Sequence, residues 1–185
     1  MKQTIELQQE HLAARHCLPL TDPRKIIHNI YVGGGDVMAT DGKIAIIIKH
    51  NKEDMLPVVI PRQLLDINDA FGEMLIVWSD GDTNEVAMSN GDFSVAAKTM
   101  DADKYPSREI RKFLLEHKDD KDVDSFSLGI DGLMKILKTL KEISCGPRDL
   151  VTFHHSPNTD TVLVRTRSTV KHSAIILKDR SMDDD

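Results

Sequence analysis

The 185-residue sequence holds little cysteine, few aromatic residues and no long apolar run. Its two cysteines, Cys17 and Cys145, have neither metal nor redox spacing and suggest no disulfide scaffold. The longest aliphatic stretch, Ile44 to Ile48, is far short of the roughly 20 residues that span a bilayer, which excludes a transmembrane helix. Met1 to Glu10 carries one lysine and no apolar segment, so it does not read as a signal peptide. These absences place the protein in the cytoplasm, away from membranes. There is also no excess of positive charge. The formal net charge is −6, which argues against a simple basic nucleic-acid binder.

That charge is unevenly spread. Residues 1–50 hold 6 Lys/Arg and 5 Asp/Glu, residues 51–105 hold 4 and 11, and residues 106–185 hold 14 of each. The deficit lies in the middle of the chain and leaves room for basic faces at either end. Chemistry-bearing patterns are equally scarce. His154 and His155 adjoin on a predicted strand, point to opposite faces and so share no ion. Gly33-Gly34-Gly35 lacks the lysine and helix start of a phosphate loop. Asp80, Asp82, Asp119, Asp120 and Asp122 lack a calcium-loop pattern. Nothing marks a catalytic triad, and neither a metal, a cofactor nor an enzymatic activity is expected.

What the sequence does contain is a recurring order of elements. A strand at Thr4–Leu7 leads to a helix at Gln9–Leu18, closed by Pro19. Strands follow at Lys25–Val32, Asp36–Thr40 and Lys43–Lys49, with turns at Gly33–Asp36 and Asp41-Gly42. The order resumes with a strand at Val58–Ile60 and a helix from Arg62 to Phe71, after Pro61. Strands at Leu75–Ser79, Glu85–Ser89 and Phe93–Thr99 complete it, turning at Asp80–Asp82 and Asn90–Asp92. Met100–Pro106 reads as a connector, Ser107–His117 as a short helix or an extended linker, and Lys118–Asp124 as a charged loop. A third run has a strand at Ser125–Ile130 and a helix from Gly132 to Ile143, with Asp131 as its N-cap. Three strands follow, at Leu150–His154, Thr161–Thr166 and His172–Leu177, and Asp183–Asp185 is a frayed acidic tail. No unit buries its helix alone. Side by side, the three would form a continuous sheet with helices on one face.

Several short motifs have a matching order in one family. Thr21-Asp22-Pro23-Arg24 with His28-Asn29-Ile30 looks like an Asp-x-Arg turn entering a Leu-Asn-Gly strand. Ala39-Thr40-Asp41-Gly42-Lys43 is similar to an Ala-Thr-Asp-Gly-His hairpin. Val58 to Leu65 looks like an Ile-Pro-x-Lys-x-Leu helix start, and Lys98-Thr99 through Tyr105-Pro106 like a Lys-Leu-x-x-x-x-Phe-Pro segment. Ile175 to Lys178 lies where that family ends in Val-Met-Pro-Met. Together they resemble the bacterial DNA polymerase III beta subunit, the sliding clamp. Two departures stand out: Ile44-Ala45 replaces the Arg-Leu after the hairpin, and Lys178-Asp179 replaces the final Pro-Met.

The resemblance implies an α+β, DNA-clamp-like fold of curved antiparallel sheets with helices on one face. It implies a complete domain over residues 1–106, made of units 1–50 and 57–100. A linker over 107–124, a third unit over 125–180 and the tail 181–185 follow. A clamp encircles duplex DNA without reading its sequence and tethers a polymerase. Phosphate contacts then fall to His11 and Arg15 on the first helix and to Lys135, Lys138 and Lys141 on the third, residues that otherwise read as a solvated face. The family's peptide pocket, which holds polymerase and clamp-loader motifs, maps onto Thr40, Gly42, Lys43, Pro106, Ile110 and Leu177. The same residues otherwise read as a turn, a linker proline and core positions. Gln63 to Ile67 loosely resembles a clamp-binding peptide, but its apolar residues suit a helix core. Family rings contain about twelve units, so three per chain implies a homo-oligomer of about four chains. The alternative function is a decoy or modulator that binds clamp-partner peptides, or the host clamp, without forming a ring.

Overall fold

The computed structural model describes residues 2–50, 52–68, 74–79, 85–89, 94–116, 128–143, 151–156, 161–166 and 172–177. Strand β1 (Lys2–Leu7) leads into helix α1 (Gln9–Leu12), which tightens into a 3₁₀ helix over Ala13–Cys17. The expected helix to Leu18 is therefore shorter and of two kinds. Leu18 is extended, as the residue before Pro19 is pushed to be.

The predicted strand Lys25–Val32 divides. Lys25–His28 is a 3₁₀ helix, and only Ile30–Gly33 is strand β2. Asn29 accounts for the break. Its Nδ2 donates to the carbonyls of Lys25 and Ile26, and its Oδ1 accepts from the Arg62 amide. A side chain that satisfies local backbone groups competes with a strand ladder. Strand β3 (Asp36–Thr40) follows through Gly34 and Gly35, with φ of 59° and 74°. Two consecutive positive-φ residues make the hairpin turn whose twist matches the strands.

Strands β4 (Ile44–Lys49) and β5 (Val58–Ile60) precede helix α2 (Arg62–Asn68). Strands β6 (Met74–Ser79), β7 (Glu85–Ser89) and β8 (Ser94–Lys98) come next. After a 3₁₀ turn at Ala102–Lys104, residues 107–116 form helix α3 (Ser107–Glu116), which resolves the choice between helix and extended linker. Helix α4 (Ile130–Ile143) then leads to β9 (Val151–Ser156), β10 (Thr161–Thr166) and β11 (His172–Leu177). Ile130 begins α4 and does not end a strand. The rest of the predicted strand up to Ser127 lies outside the described residues. So do the turns at 80–82 and 90–92, the end of the second helix at 69–71, loop 118–124, Cys145, Lys178-Asp179 and the acidic tail.

The described strands form two antiparallel sheets and not one, in the orders β1-β6-β7-β8 and β5-β2-β3-β4-β11-β10-β9. β1 thus pairs with the strands that follow α2, and β5 with those that follow α1. The seven-stranded sheet is joined at β4 and β11, where Ile48 faces His172 and Ile44 faces Ile176. Alternation along its strands separates two cores. Ile30, Val32, Val37, Ala39, Ile46, Ile48, Val58 and Ile60 pack with Leu12, Leu64, Leu65, Ile136, Leu140 and Ile143 of α1, α2 and α4. The intervening Tyr31, Met38, Ile47 and Val59 pack with Tyr105 and Ile110. Helix α3 therefore lies across the sheet from the other three. This explains why β4 is aliphatic from Ile44 to Ile48: that stretch is covered on both faces. Each fully buried Ile or Leu contributes about 1.5–3 kcal/mol through apolar burial.

Candidate functional site

The β3–β4 hairpin is built by its own side chains. Thr40 Oγ1 donates to the Ile44 carbonyl at 2.7 Å and accepts from the Gly42 amide at 3.0 Å. Asp41 Oδ1 accepts from the amides of Lys43 and Ile44 at 2.9 and 2.8 Å. Gly42 sits at φ 89°, where an L side chain is strained. A Cβ there would also come within 2.2 Å of Arg24 Nη2. The guanidinium is drawn over the glycine by Asp22, to which Nε and Nη2 donate at 2.9 and 2.8 Å. These bonds hold the Asp22 carboxyl at about 2, below its usual 3.8, and raise the guanidinium.

Helix α3 faces this hairpin and is clasped to the β2–β3 turn. Arg111 Nε donates to Asp36 Oδ2 at 2.9 Å, and its Nη2 to the Gly33 carbonyl at 2.8 Å. Asp36 is buried, and its other oxygen accepts from Lys49 Nζ at 2.6 Å. A buried carboxylate costs several kcal/mol to desolvate unless it is paired this way. Beneath the helix, Tyr105 stacks on Tyr31 with ring centroids 5.2 Å apart, and its hydroxyl donates to the Met38 carbonyl. Burial pushes that phenol far above its ordinary value.

Between hairpin and helix lies a cavity of about 160 Å³. Ile27, Ile44, Ala45 and Ile110 give it apolar walls, and Arg24, Lys43 and Glu109 bring charge to it. Thr40, Gly42, Lys43, Pro106 and Ile110, five of the six residues expected to hold a peptide, line this one cavity. Leu177 ends β11, opposite Thr161 and one residue beyond the Ile44–Ile176 pair; its side chain lies outside those described. The sequence reading did not assign Arg24, Glu109 or Phe113, which also line the cavity. Their signal was present: Pro106, Glu109, Ile110 and Phe113 stand at i, i+3, i+4 and i+7, one face of a helix. Treating 107–124 as a linker hid it. An apolar hollow with a few charges at its edge suits a short linear segment.

The five residues expected to face phosphate do not form one basic surface. His11 is buried. Its Nδ1 accepts from the Gln8 amide, its Nε2 meets the Lys49 carbonyl at 3.1 Å, and its ring lies 5.1 Å from that of His50. It is a core residue, so its assignment to a phosphate-facing surface is corrected. Arg15 Nη2 is 3.9 Å from Glu142 Oε2, and His16 pairs with the other oxygen of the same carboxylate. Lys135 turns toward the hairpin, with Nζ 2.6 Å from Asp41 Oδ2. Lys138 and Lys141 remain exposed on α4, opposite its buried Ile136, Thr139, Leu140 and Ile143. Among the described residues, no three His, Cys, Asp or Glu gather to hold a metal, and no helix is long and apolar enough to cross a membrane.

No family model and no curated protein matches the sequence. Solved structures do match the fold. The chain is similar to DNA polymerase III beta subunit from Thermotoga maritima, with a TM-score of 0.66 and 12% identity, over 96% of this chain and 64% of that one. It is similar to DNA polymerase III subunit beta from Pseudomonas aeruginosa, with a TM-score of 0.64 and 14% identity, over 96% and 66%. The beta subunit from Borrelia burgdorferi gives a TM-score of 0.65 and 9% identity, over 96% and 64%. This chain thus spans about two thirds of the length of these proteins. Its fold is that of the DNA polymerase III beta subunit sliding clamps.

Proposed function

We propose that the protein is a sliding-clamp-like processivity factor. Several copies assemble around duplex DNA, and each holds a short polymerase or clamp-loader peptide between the β3–β4 hairpin and α3. The observation that carries this reading is the convergence of Thr40, Gly42, Lys43, Pro106 and Ile110 on one apolar cavity, from two segments more than 60 residues apart. Lys138 and Lys141 supply the exposed cations that sequence-independent phosphate contact needs. The chain performs no bond chemistry in this role. With residues 1–106 as one domain and 125–180 as a half domain, about four chains close a ring of about twelve units.

Retention on DNA is the test. The protein is loaded on nicked circular DNA, and the DNA is then linearised. A ring stays on the circle and slides off the linear product. Charge reversal of Lys138 and Lys141 is expected to abolish retention. A monomer or dimer by light scattering, with no retention on the circle, defeats the ring reading.

A second reading is favoured by the ion pairs: Arg15 faces Glu142 and Lys135 faces Asp41, so two candidate phosphate contacts have protein partners. Under it, the protein is a decoy that binds clamp-partner peptides without encircling DNA. Peptide binding by fluorescence polarisation, together with the absence of DNA retention, selects this reading.

A further inference from the structure

We infer that Lys135 is a positioning residue of the peptide pocket: from α4 it braces the β3–β4 hairpin and sets the arrangement of the residues that grip the peptide. The inference rests on the reading of the cavity as a peptide site.

Two contacts carry it. Lys135 Nζ donates to Asp41 Oδ2 at 2.6 Å, while Asp41 Oδ1 holds the amides of Lys43 and Ile44. One carboxylate therefore connects α4 to the backbone of the pocket's edge. Asp41 is nearly buried, its side chain 10% exposed, and that of Lys135 is only 31% exposed. Screening is weaker there than at an open surface pair. The second contact is steric. A Cβ on Gly132 would stand 3.2 Å from Ile44 Cδ1, so the first turn of α4 packs directly on a wall of the cavity. Gly132 and Lys135, at i and i+3, share one face of the helix.

The pocket edge is thus fixed from both sides. Asp22 holds Arg24 over Gly42 in front, and Lys135 holds Asp41 behind. Without the lysine, the carboxylate keeps its backbone bonds but loses the cation that fixes its plane. Lys43 and Ile44, the residues bonded to it, then sample more positions, and the peptide must order them on binding.

The test uses the full chain and a fluorescein-labelled peptide, Gln-Leu-Leu-Asp-Ile, chosen for its apolar residues and its one acidic group. Lys135→Met and Asp41→Asn each remove the ion pair, and Asp41→Asn retains the oxygen that serves the turn. Each is expected to weaken peptide binding about fivefold, and the double variant by about the same factor, because both remove one interaction. Lys135→Arg should restore most of the affinity. Lys98→Met, the same charge change at an exposed position on β8 of the other sheet, should leave it unchanged. In NMR spectra of the free protein, the Gly42, Lys43 and Ile44 amides should shift in Lys135→Met and return in Lys135→Arg. Unchanged affinity and unchanged amides in Lys135→Met, with the wild type binding, overturn the inference alone. Independent, additive losses from the two single variants also overturn it. No binding by the wild type overturns the pocket reading, and this assignment with it.

Discussion

Replacing Gly42 with alanine tests the pocket edge more directly than any other single change. Two penalties are distinct there. The first is backbone: φ of 89° costs a residue with a Cβ roughly 1–2 kcal/mol relative to glycine. The second is steric, since the new Cβ would lie 2.2 Å from Arg24 Nη2. Arg24 is a flexible and largely exposed side chain, so it moves away instead of distorting the hairpin. Its departure costs little stability, because exposed ion pairs contribute about 0–1 kcal/mol. The total is therefore about 1–3 kcal/mol. For a domain of this size that lowers Tm by about 2–12 °C, at about 2–4 °C per kcal/mol.

The two penalties are separated by measuring Gly42→Ala in wild-type and Arg24→Ala backgrounds by thermal melting. The backbone cost persists in both, and the steric cost disappears when Arg24 is absent. A second readout follows from the same geometry. Arg24 holds the Asp22 carboxyl at about 2, so displacing it should return Asp22 toward 3.8 in a carboxyl NMR titration. Gly42→Ala that melts within about 1 °C of wild type, with Asp22 unmoved, would falsify the described turn.

Three further outcomes are expected. Arg111→Met leaves buried Asp36 with Lys49 as its remaining ion-pair partner in the clasp, and should cost about 1–3 kcal/mol in urea unfolding and weaken peptide binding by loosening α3; a loss below about 0.5 kcal/mol counts against the clasp. Asp22 titrates lower in the folded chain than when unfolded, so its contribution to stability is complete above 3.8 and is lost as pH falls from there toward 2; an Asp22→Asn variant should show a flatter acid limb, and an identical limb would reject the pairing. Burial pushes the Cys17 thiol up to about 12, so in a Cys145→Ser background a disulfide reagent at about pH 8 should react only on unfolding; rapid reaction in the native state would contradict the packing around Cys17.

Much of the fold was legible because local chemistry agreed with the final structure. Gly34-Gly35 forms its turn through backbone freedom that other residues lack, and Asp41-Gly42 closes its hairpin with bonds made within five residues. The aliphatic β4 announced a strand covered on both faces. Five residues that line the cavity were singled out too, through a resemblance to known motifs. Other features were not, and each for a long-range reason. Asn29 divides the predicted strand Lys25–Val32 partly through a bond to Arg62, 33 residues away. Helix α3 looked like a linker because its polar sequence hides a buried apolar residue, Ile110, and a clasp, Arg111 to Asp36, 75 residues apart.

The sequence by itself determined most of the strands, the turns at Gly34-Gly35 and Asp41-Gly42, and thereby the α+β class, because hydrogen bonds and side-chain periodicity along a segment act over only a few residues. Through the resemblance to the clamps, it named His11 and Lys135 alike as phosphate contacts. Only the tertiary structure decided otherwise. Charge and hydropathy say which groups seek water or a partner, but not which partner the folded chain brings within 3 Å. Packing placed His11 beside His50, Lys135 on Asp41, and α3 across the sheet from the other helices. The cavity exists only where α3 meets the β3–β4 hairpin.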